Sequence, residues 1–353
     1  MQPSDSLSRT AADWRAELAS SGAAVDGNRV LHFGDPAAEF LAARDGIVVC
    51  DLSHLGTIAA TGADTDTFLQ GQLSSDLRQL DAHHAQYSSY NTPKGRMLAS
   101  LLVYRAAAAV HLQLPRELVE PIRRRLAMFI LRSKVALVDA SDNYLRFGVA
   151  GKGAEALVTS TVGGAPAAAL EVFQADAAIT IRLPGDRFEI VADCEQAGRL
   201  WPALGAFARP AGVPVWDWLE IRAGIPVITA ATQEAFVPQM VNLELLGGVS
   251  FQKGCYPGQE IVARSQYLGK LKRRMYLAHT DASVAPGAGT ELYSRDLDGQ
   301  PCGMVVSAAA APGGGFDLLA VIQTTSVASH PIHFGKPDGP VLQLEPLPYR
   351  APS

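Results

Sequence analysis

The chain has 353 residues, 48% of them apolar and 18% charged, with a formal net charge of −5 at pH 7. This composition excludes a disordered or coiled-coil chain, and at roughly 150 residues per domain the length accommodates two or three domains. The acidic balance argues against a generic binder of nucleic acid or anionic membrane, although a local basic patch stays compatible with it.

Four cysteines, at 50, 194, 255 and 302, form no CxxC pair. They exclude a disulfide-dense scaffold and the common zinc signatures, and they fit a reducing compartment. No metal site is expected. The N-terminus lacks the basic-then-apolar pattern of a secretory signal. No apolar run reaches the roughly 18 residues of a membrane span; the best, 98–114, is broken by Arg105 and His111. A cytoplasmic protein without a membrane partner is expected.

In chain order, residues 11–20 read as a short polar helix and 25–33 as one edge of a strand pair. Strands follow at 47–51 and 56–60, and then helix-capping oxygens at 61–64. Strands at 87–90 and 97–104 flank the loop Asn91-Thr-Pro-Lys-Gly-Arg. Leu118, Ile122, Leu126, Phe129 and Ile130 recur at helical spacing and predict a helix over 116–132. Strands at 135–138 and 144–149, a helix near 152–161, a hairpin of 179–183 with 188–192 and a helix over 195–208 then predict a small α+β unit. From about 275 short strands alternate with Pro-Gly, Asp-Gly and Gly-Gly-Gly turns and no helical pattern survives, which predicts an antiparallel barrel or sandwich.

Several stretches carry possible chemistry. Residues 151–156, GKGAEA, follow a strand and open a helix, as a phosphate-binding turn does. The next βα repeat of a dinucleotide fold is absent, so packing glycines are the first reading. His83-His84 has only Asp81 nearby and reads as a solvated turn. Asp64 and Asp66 read as helix N-terminal charges. Residues 249–264, VSFQKGCYPGQEIVAR, differ in kind: Ser250-Phe251 reads as a strand end, Gly254 and Pro257-Gly258 force a loop, and a helix restarts at Gln259. Cys255 stands just ahead of that helix with Lys253 two residues away. Positive charge and a helix N-terminus favour a reactive thiolate; the alternative is a buried cysteine filling a turn. Residues 116–134 hold six Lys/Arg and two Glu, and 264–274 hold five Lys/Arg and no acid. They read either as a solvated face or as a groove for a polyanion, such as a folate tail or an RNA backbone.

KGCYPGQE, residues 253–260, matches without mismatch the K-G-C-[FY]-x-G-Q-E signature and so resembles the YgfZ family. These are folate-binding relatives of the glycine-cleavage T-protein, tied to iron–sulfur protein maintenance and tRNA modification. The resemblance extends over residues 48–72, ending in FLQGQ, the KGRM hairpin at 94–97, LRSKVALVD at 131–139, EIRAGIP at 220–226, and residues 238–243 and 270–274. The first 25 residues fit least. The resemblance implies an α+β fold of three subdomains around a central hole: residues 1–135 completed by about 209–274, a ferredoxin-like unit at 136–208, and a C-terminal β-barrel at 275–353. It implies tetrahydrofolate in the hole and a functional Cys255, with Lys253 beside it. Glu189 looks like the T-protein carboxylate that bonds the pterin ring, and Arg222 is a candidate for the folate glutamate. Asn91, Gln259, Glu260 and Arg264 complete the implied cofactor set.

The sequence departs from the aminomethyltransferase relatives at Ala99-Ser100, where those relatives carry an acidic pair, so glycine-cleavage chemistry is not expected. The first functional reading is a folate-dependent accessory protein acting on iron–sulfur client proteins and in tRNA modification. Cys255 there acts as nucleophile, transient metal ligand or redox sensor. The alternatives are an aminomethyltransferase-type one-carbon transfer to tetrahydrofolate and a non-catalytic tRNA-binding module.

Overall fold

The computed structural model describes residues 10–267 and 271–350. In chain order the elements are α1 (Ala11–Ser20), β1 (Ala24–Asp26), β2 (Arg29–His32), α2 (Pro36–Asp45), β3 (Ile47–Asp51), β4 (Leu55–Thr61), α3 (Thr65–Gln70), β5 (Gln86–Asn91), β6 (Met97–Ala106), β7 (Ala109–Pro115), α4 (Arg116–Ala127) and β8 (Ala136–Asp139). They continue as β9 (Leu145–Gly151), α5 (Ala154–Val162), β10 (Val172–Gln174), β11 (Ile179–Leu183), β12 (Arg187–Ala192), α6 (Cys194–Gly205), β13 (Arg209–Ala211), α7 (Val213–Arg222), α8 (Gln259–Tyr267), β14 (Arg273–Thr280), β15 (Glu291–Tyr293), β16 (Pro301–Ala310), β17 (Phe316–Gln323), α9 (Thr324–Ser329), β18 (His333–Phe334) and β19 (Gln343–Glu345). The chain divides into two compact units. One comprises the residues up to Gly56 with Ala140–Trp216, the other Thr57–Asp139 with the residues from Asp217 on.

The first unit is built on a six-stranded sheet of order β10-β11-β12-β9-β3-β13. Helix α1 starts at a capping box, in which Thr10 and Asp13 bond each other's backbone. Its Trp14 and Leu18, four residues apart and so on one face, enter a core with Phe147, Val149, Phe188, Ile190 and Leu200. Trp14 Nε1 also donates to the buried Asp51 carboxylate at 2.7 Å, so the stretch with least family likeness is nonetheless core. Gly151 has φ +113°, and a Cβ there would lie 2.0 Å from the Gly46 carbonyl oxygen. The glycine of the GKGAEA turn is therefore required by close backbone packing.

The second unit holds a five-stranded sheet of order β5-β6-β7-β4-β8. Leu118, Val119, Ile122 and Leu126 of α4 pack in its core with Leu69, Leu101, Val103 and Leu112. The six-stranded antiparallel C-terminal sheet, of order β18-β15-β16-β17-β14-β19, is curled into a half-barrel. The register of β16 against β17 slips between Val305 and Ser307, the kind of irregularity that bends a strand.

The structure differs from the sequence reading at several places. Residues 25–33 form the β1–β2 hairpin around Gly27 at φ +56°, where a single strand was expected. Helix α4 stops at Ala127 rather than 132, because the following backbone turns through i to i−3 bonds and Leu131 adopts φ +48°. Strand β7, unread in the sequence, returns from β6 through Ala107 at φ +50°. Helices α2 and α7 were likewise unread. Ser250-Phe251 is loop, not strand end. The C-terminal region contains one short helix, α9; its sequence TTSVAS has a single large apolar residue, while its buried Ser326 hydroxyl is anchored on Asp296 at 2.8 Å.

Candidate functional site

The loop before α8 is held from beneath by Lys253. Lys253 is only 6% exposed, and its Nζ donates to the carbonyls of Leu73 and Ser75, both at 2.7 Å. The same ammonium lies 5.2 Å from the Tyr256 ring centroid, a cation–π arrangement. Burial pushes the Lys253 pKa down to about 8, with Asp76 opposing the shift and Arg78 adding to it. The anchoring segment after α3 is zipped to the loop's approach. Ser74 Oγ donates to Gly248 O at 2.6 Å, and Ser250 N donates to Ser74 O at 2.9 Å.

The loop's other side meets the β5–β6 hairpin. Gly258 has φ +79°, and a Cβ on it would stand 2.5 Å from Gly95 Cα and 2.6 Å from the Thr92 carbonyl oxygen. A Cβ on Gly95, itself at φ +71°, would meet Ile261 Cβ at 3.1 Å and the Gly258 carbonyl oxygen at 3.3 Å. The KGRM and KGCYPGQE stretches, 150 residues and more apart in sequence, are thus one packed structure. Arg96 extends the seam by donating to Ala235 O at 2.7 Å. Between these anchors Cys255 is exposed, whereas Cys50, Cys194 and Cys302 are buried. Burial pushes the Cys302 thiol up to about 11.

The remaining candidates fall in different places. Gln259 opens α8, and its Nε2 reaches back to Lys253 O at 3.4 Å; Glu260 and Arg264 are exposed on the same helix. Asn91 ends β5, only 1% exposed, and neither its Oδ1 nor its Nδ2 has a hydrogen-bond partner among the described residues. Glu189 lies on β12 in the first unit, buried, with Arg146 Nε 3.9 Å from its Oε1. Arg222, at the end of α7, is tied to Glu345 and, at 3.5 Å, to Asp317. Its carboxylate partners belong to the C-terminal sheet and not to the Cys255 loop. Ala99 is fully buried, and Ser100 Oγ accepts from Ile228 N at 3.0 Å, so that stretch of β6 presents no carboxylate.

Sequence reading missed the carbonyls of Leu73 and Ser75, which no side-chain motif could announce, and the burial of Tyr256. The Tyr256 hydroxyl has no partner among the described residues and burial pushes its pKa up to about 12. His84 pairs with Asp81 at 2.8 Å on the surface. Asp64 accepts from the Lys134 backbone at 2.7 Å and Asp66 from Arg105 at 2.9 Å. Of the two basic stretches, Arg123 and Arg124 pair with Glu120 and Arg274 with Glu244; Lys270 lies outside the described residues. Among the described residues no helix is long and apolar enough to cross a membrane.

Comparison with known proteins gives a consistent picture. The family model described as the GCVT N-terminal domain matches residues 29–251. A protein from Klebsiella pneumoniae (strain 342) named tRNA-modifying protein YgfZ is 34% identical over 310 residues, covering 87% of this chain and 94% of the relative. Proteins of the same name from Photorhabdus laumondii and Escherichia coli (strain SE11) are 33% and 31% identical, covering 86% and 89% of this chain and 92% and 97% of theirs. Among solved structures, the glycine cleavage system aminomethyltransferase T from Bartonella henselae superposes with a TM-score of 0.75 at 17% identity, over 96% of this chain and 97% of that one. At that identity the likeness speaks for the fold.

Proposed function

The chain belongs to the YgfZ family of the GCVT-type fold, and from that premise we propose that it is a tetrahydrofolate-binding accessory protein of tRNA modification and iron–sulfur enzyme maintenance, acting in the cytoplasm through Cys255. The observation that carries this reading is the mounting of Cys255. One side of its loop is pinned by the buried Lys253 ammonium, the other is wedged by Gly258 against Gly95, and the sulfur between them is exposed. A loop fixed at both ends presents a side chain at little further entropic cost. A cysteine kept for packing would be buried, as the other three are.

Folate binding draws support from two buried polar side chains of the implied set. Asn91 holds an amide with both polar atoms unpartnered in a site 1% exposed, and an unmet buried amide is costly unless a guest bonds it. Glu189 is a buried carboxylate of the kind that recognises ring N–H groups. Gln259, Glu260 and Arg264 line the Cys255 side and Arg222 would serve the folate tail. Tetrahydrofolate, when bound, would supply a one-carbon carrier; this chain's residues bind and orient it and present the thiol.

The test is calorimetric titration with tetrahydrofolate alongside assay of tRNA modification in cells carrying wild type or Cys255→Ser. Saturable binding with loss of modification in the serine variant is expected. Absence of binding at millimolar folate removes the cofactor, and a fully active serine variant removes the thiol.

A further inference from the structure

We infer that the turn and strand following α4 form a docking surface for an unpaired segment of RNA, a reading that rests on the proposed role in tRNA modification. Residues 121–138 contain five Lys/Arg and no acid within a chain of net charge −5. The structure sorts these cations. Arg123 and Arg124 share the single carboxylate of Glu120, and Arg125 interacts with the Tyr90 hydroxyl. The side chains of Arg132 and Lys134 are exposed and have no ion pair among the described residues. Beside them stand Met128, Phe129 and Leu131, 65%, 46% and 89% exposed. Large apolar side chains gathered on a surface mark an interaction site more often than chance exposure does.

The chemistry of the patch selects the occupant. Two unpaired cations next to an exposed aromatic ring match a nucleic-acid strand, whose phosphates take the charges and whose splayed base stacks on the ring. A paired duplex hides its bases and would leave Phe129 without a partner. An anionic membrane calls for an amphipathic helix lying in the interface, whereas this segment is a turn leading into the short strand β8. Arg132 and Lys134 are exposed on either side of the partly buried Ser133, within the turn that precedes β8.

The test is fluorescence titration of a labelled RNA hairpin with an unpaired loop, of the same strand annealed to its complement, and of phosphatidylcholine vesicles containing phosphatidylserine. Wild type should bind the hairpin and prefer it to the duplex. Phe129→Ser should weaken that binding about tenfold. Arg132→Glu with Lys134→Glu should weaken it further and lower the log–log salt slope by about 1.4, two single-strand phosphates at ~0.7 each. Arg199→Glu on α6 should change nothing, and melting curves verify that each variant is folded. Hairpin binding that is equal in wild type and the surface variants overturns this surface, as does equal affinity for duplex or a preference for vesicles. In parallel, tRNA modification is measured in cells lacking the chromosomal gene. If wild type restores it and the surface variants do too, the docking surface falls and the proposed function stands. If wild type itself leaves modification unchanged, the proposed function falls, and the hairpin titration still decides the surface.

Discussion

Gly258 lies directly on Gly95: a Cβ placed on the first would stand 2.5 Å from the Cα of the second. Both glycines have positive φ, so each is required twice, by its own backbone and by its neighbour. This seam joins the β5–β6 hairpin of the five-stranded sheet to the cysteine loop and makes the loop's position a property of the core rather than of the surface.

Replacing Gly258 with alanine should therefore destabilise the protein by about 1–3 kcal/mol, through overpacking and an unfavourable φ. Gly254→Ala in the same loop meets no atom within 4 Å and is not in the left-handed region, and it should be nearly neutral. Urea denaturation distinguishes them as a lowered midpoint at unchanged slope for Gly258→Ala alone. Equal midpoints would mean that the seam gives way without cost.

Lys253 makes stability depend on alkaline pH. Its folded pKa of about 8 lies below the ordinary 10.5, so between those values the unfolded chain binds more protons than the folded one. Stability then rises with pH across that window, is fully gained above about 10.5, and is lost as pH falls through about 8, by an amount on the order of 3 kcal/mol. Lys253→Met should lack this slope. It should also leave the Leu73 and Ser75 carbonyls without their donor, costing about 1–3 kcal/mol at neutral pH. Thermal melts of both proteins from pH 7 to pH 11 read out the difference; parallel profiles would show that the ammonium is not desolvated.

Alkylation should separate the cysteines by exposure. A small electrophile followed by peptide mass mapping should label Cys255 first. Cys50, Cys194 and Cys302 should react only on opening of the fold, since burial removes them from solvent and raises the Cys302 thiol to about 11. Simultaneous labelling of Cys255 and any of the other three in native protein would contradict the packing described.

Asn91 allows binding to be tested apart from folding. Both of its polar atoms lack partners among the described residues, so Asn91→Ala removes no hydrogen bond of the unliganded protein and relieves an unmet amide. Its stability should fall by less than about 1 kcal/mol, while tetrahydrofolate affinity should fall roughly tenfold. A large loss of stability with unchanged folate affinity would make Asn91 a structural residue.

Reconstituted glycine-cleavage assays should show no methylene transfer. Ala99 is buried and the Ser100 hydroxyl is occupied by the Ile228 amide, so β6 has no carboxylate there to take up a proton from the substrate amine. Transfer above background would overturn this, and Ser100→Asp measured in parallel tests whether the missing carboxylate is what prevents it.

The elements that announced themselves in the sequence were those governed by local rules. The i, i+4 apolar spacing of Leu118, Ile122 and Leu126 and the short apolar runs of β3 and β6 each depend on neighbours within one or two turns. The contiguous motif around Cys255 was legible for the same reason, and its match to a family signature carried the fold with it. Helix α9 escaped because its stabilisation comes from a buried serine bonded to Asp296, and the end of α4 because Leu131 adopts a conformation its residue type disfavours. What holds the cysteine loop was invisible for a deeper reason. Lys253 is anchored by the carbonyls of Leu73 and Ser75, which every residue possesses, and Gly258 is required by a glycine more than 150 residues earlier. Contacts to backbone and contacts between distant chain segments leave no periodicity; only tertiary packing, which decides which backbone meets which, turns a recognisable motif into a mounted thiol.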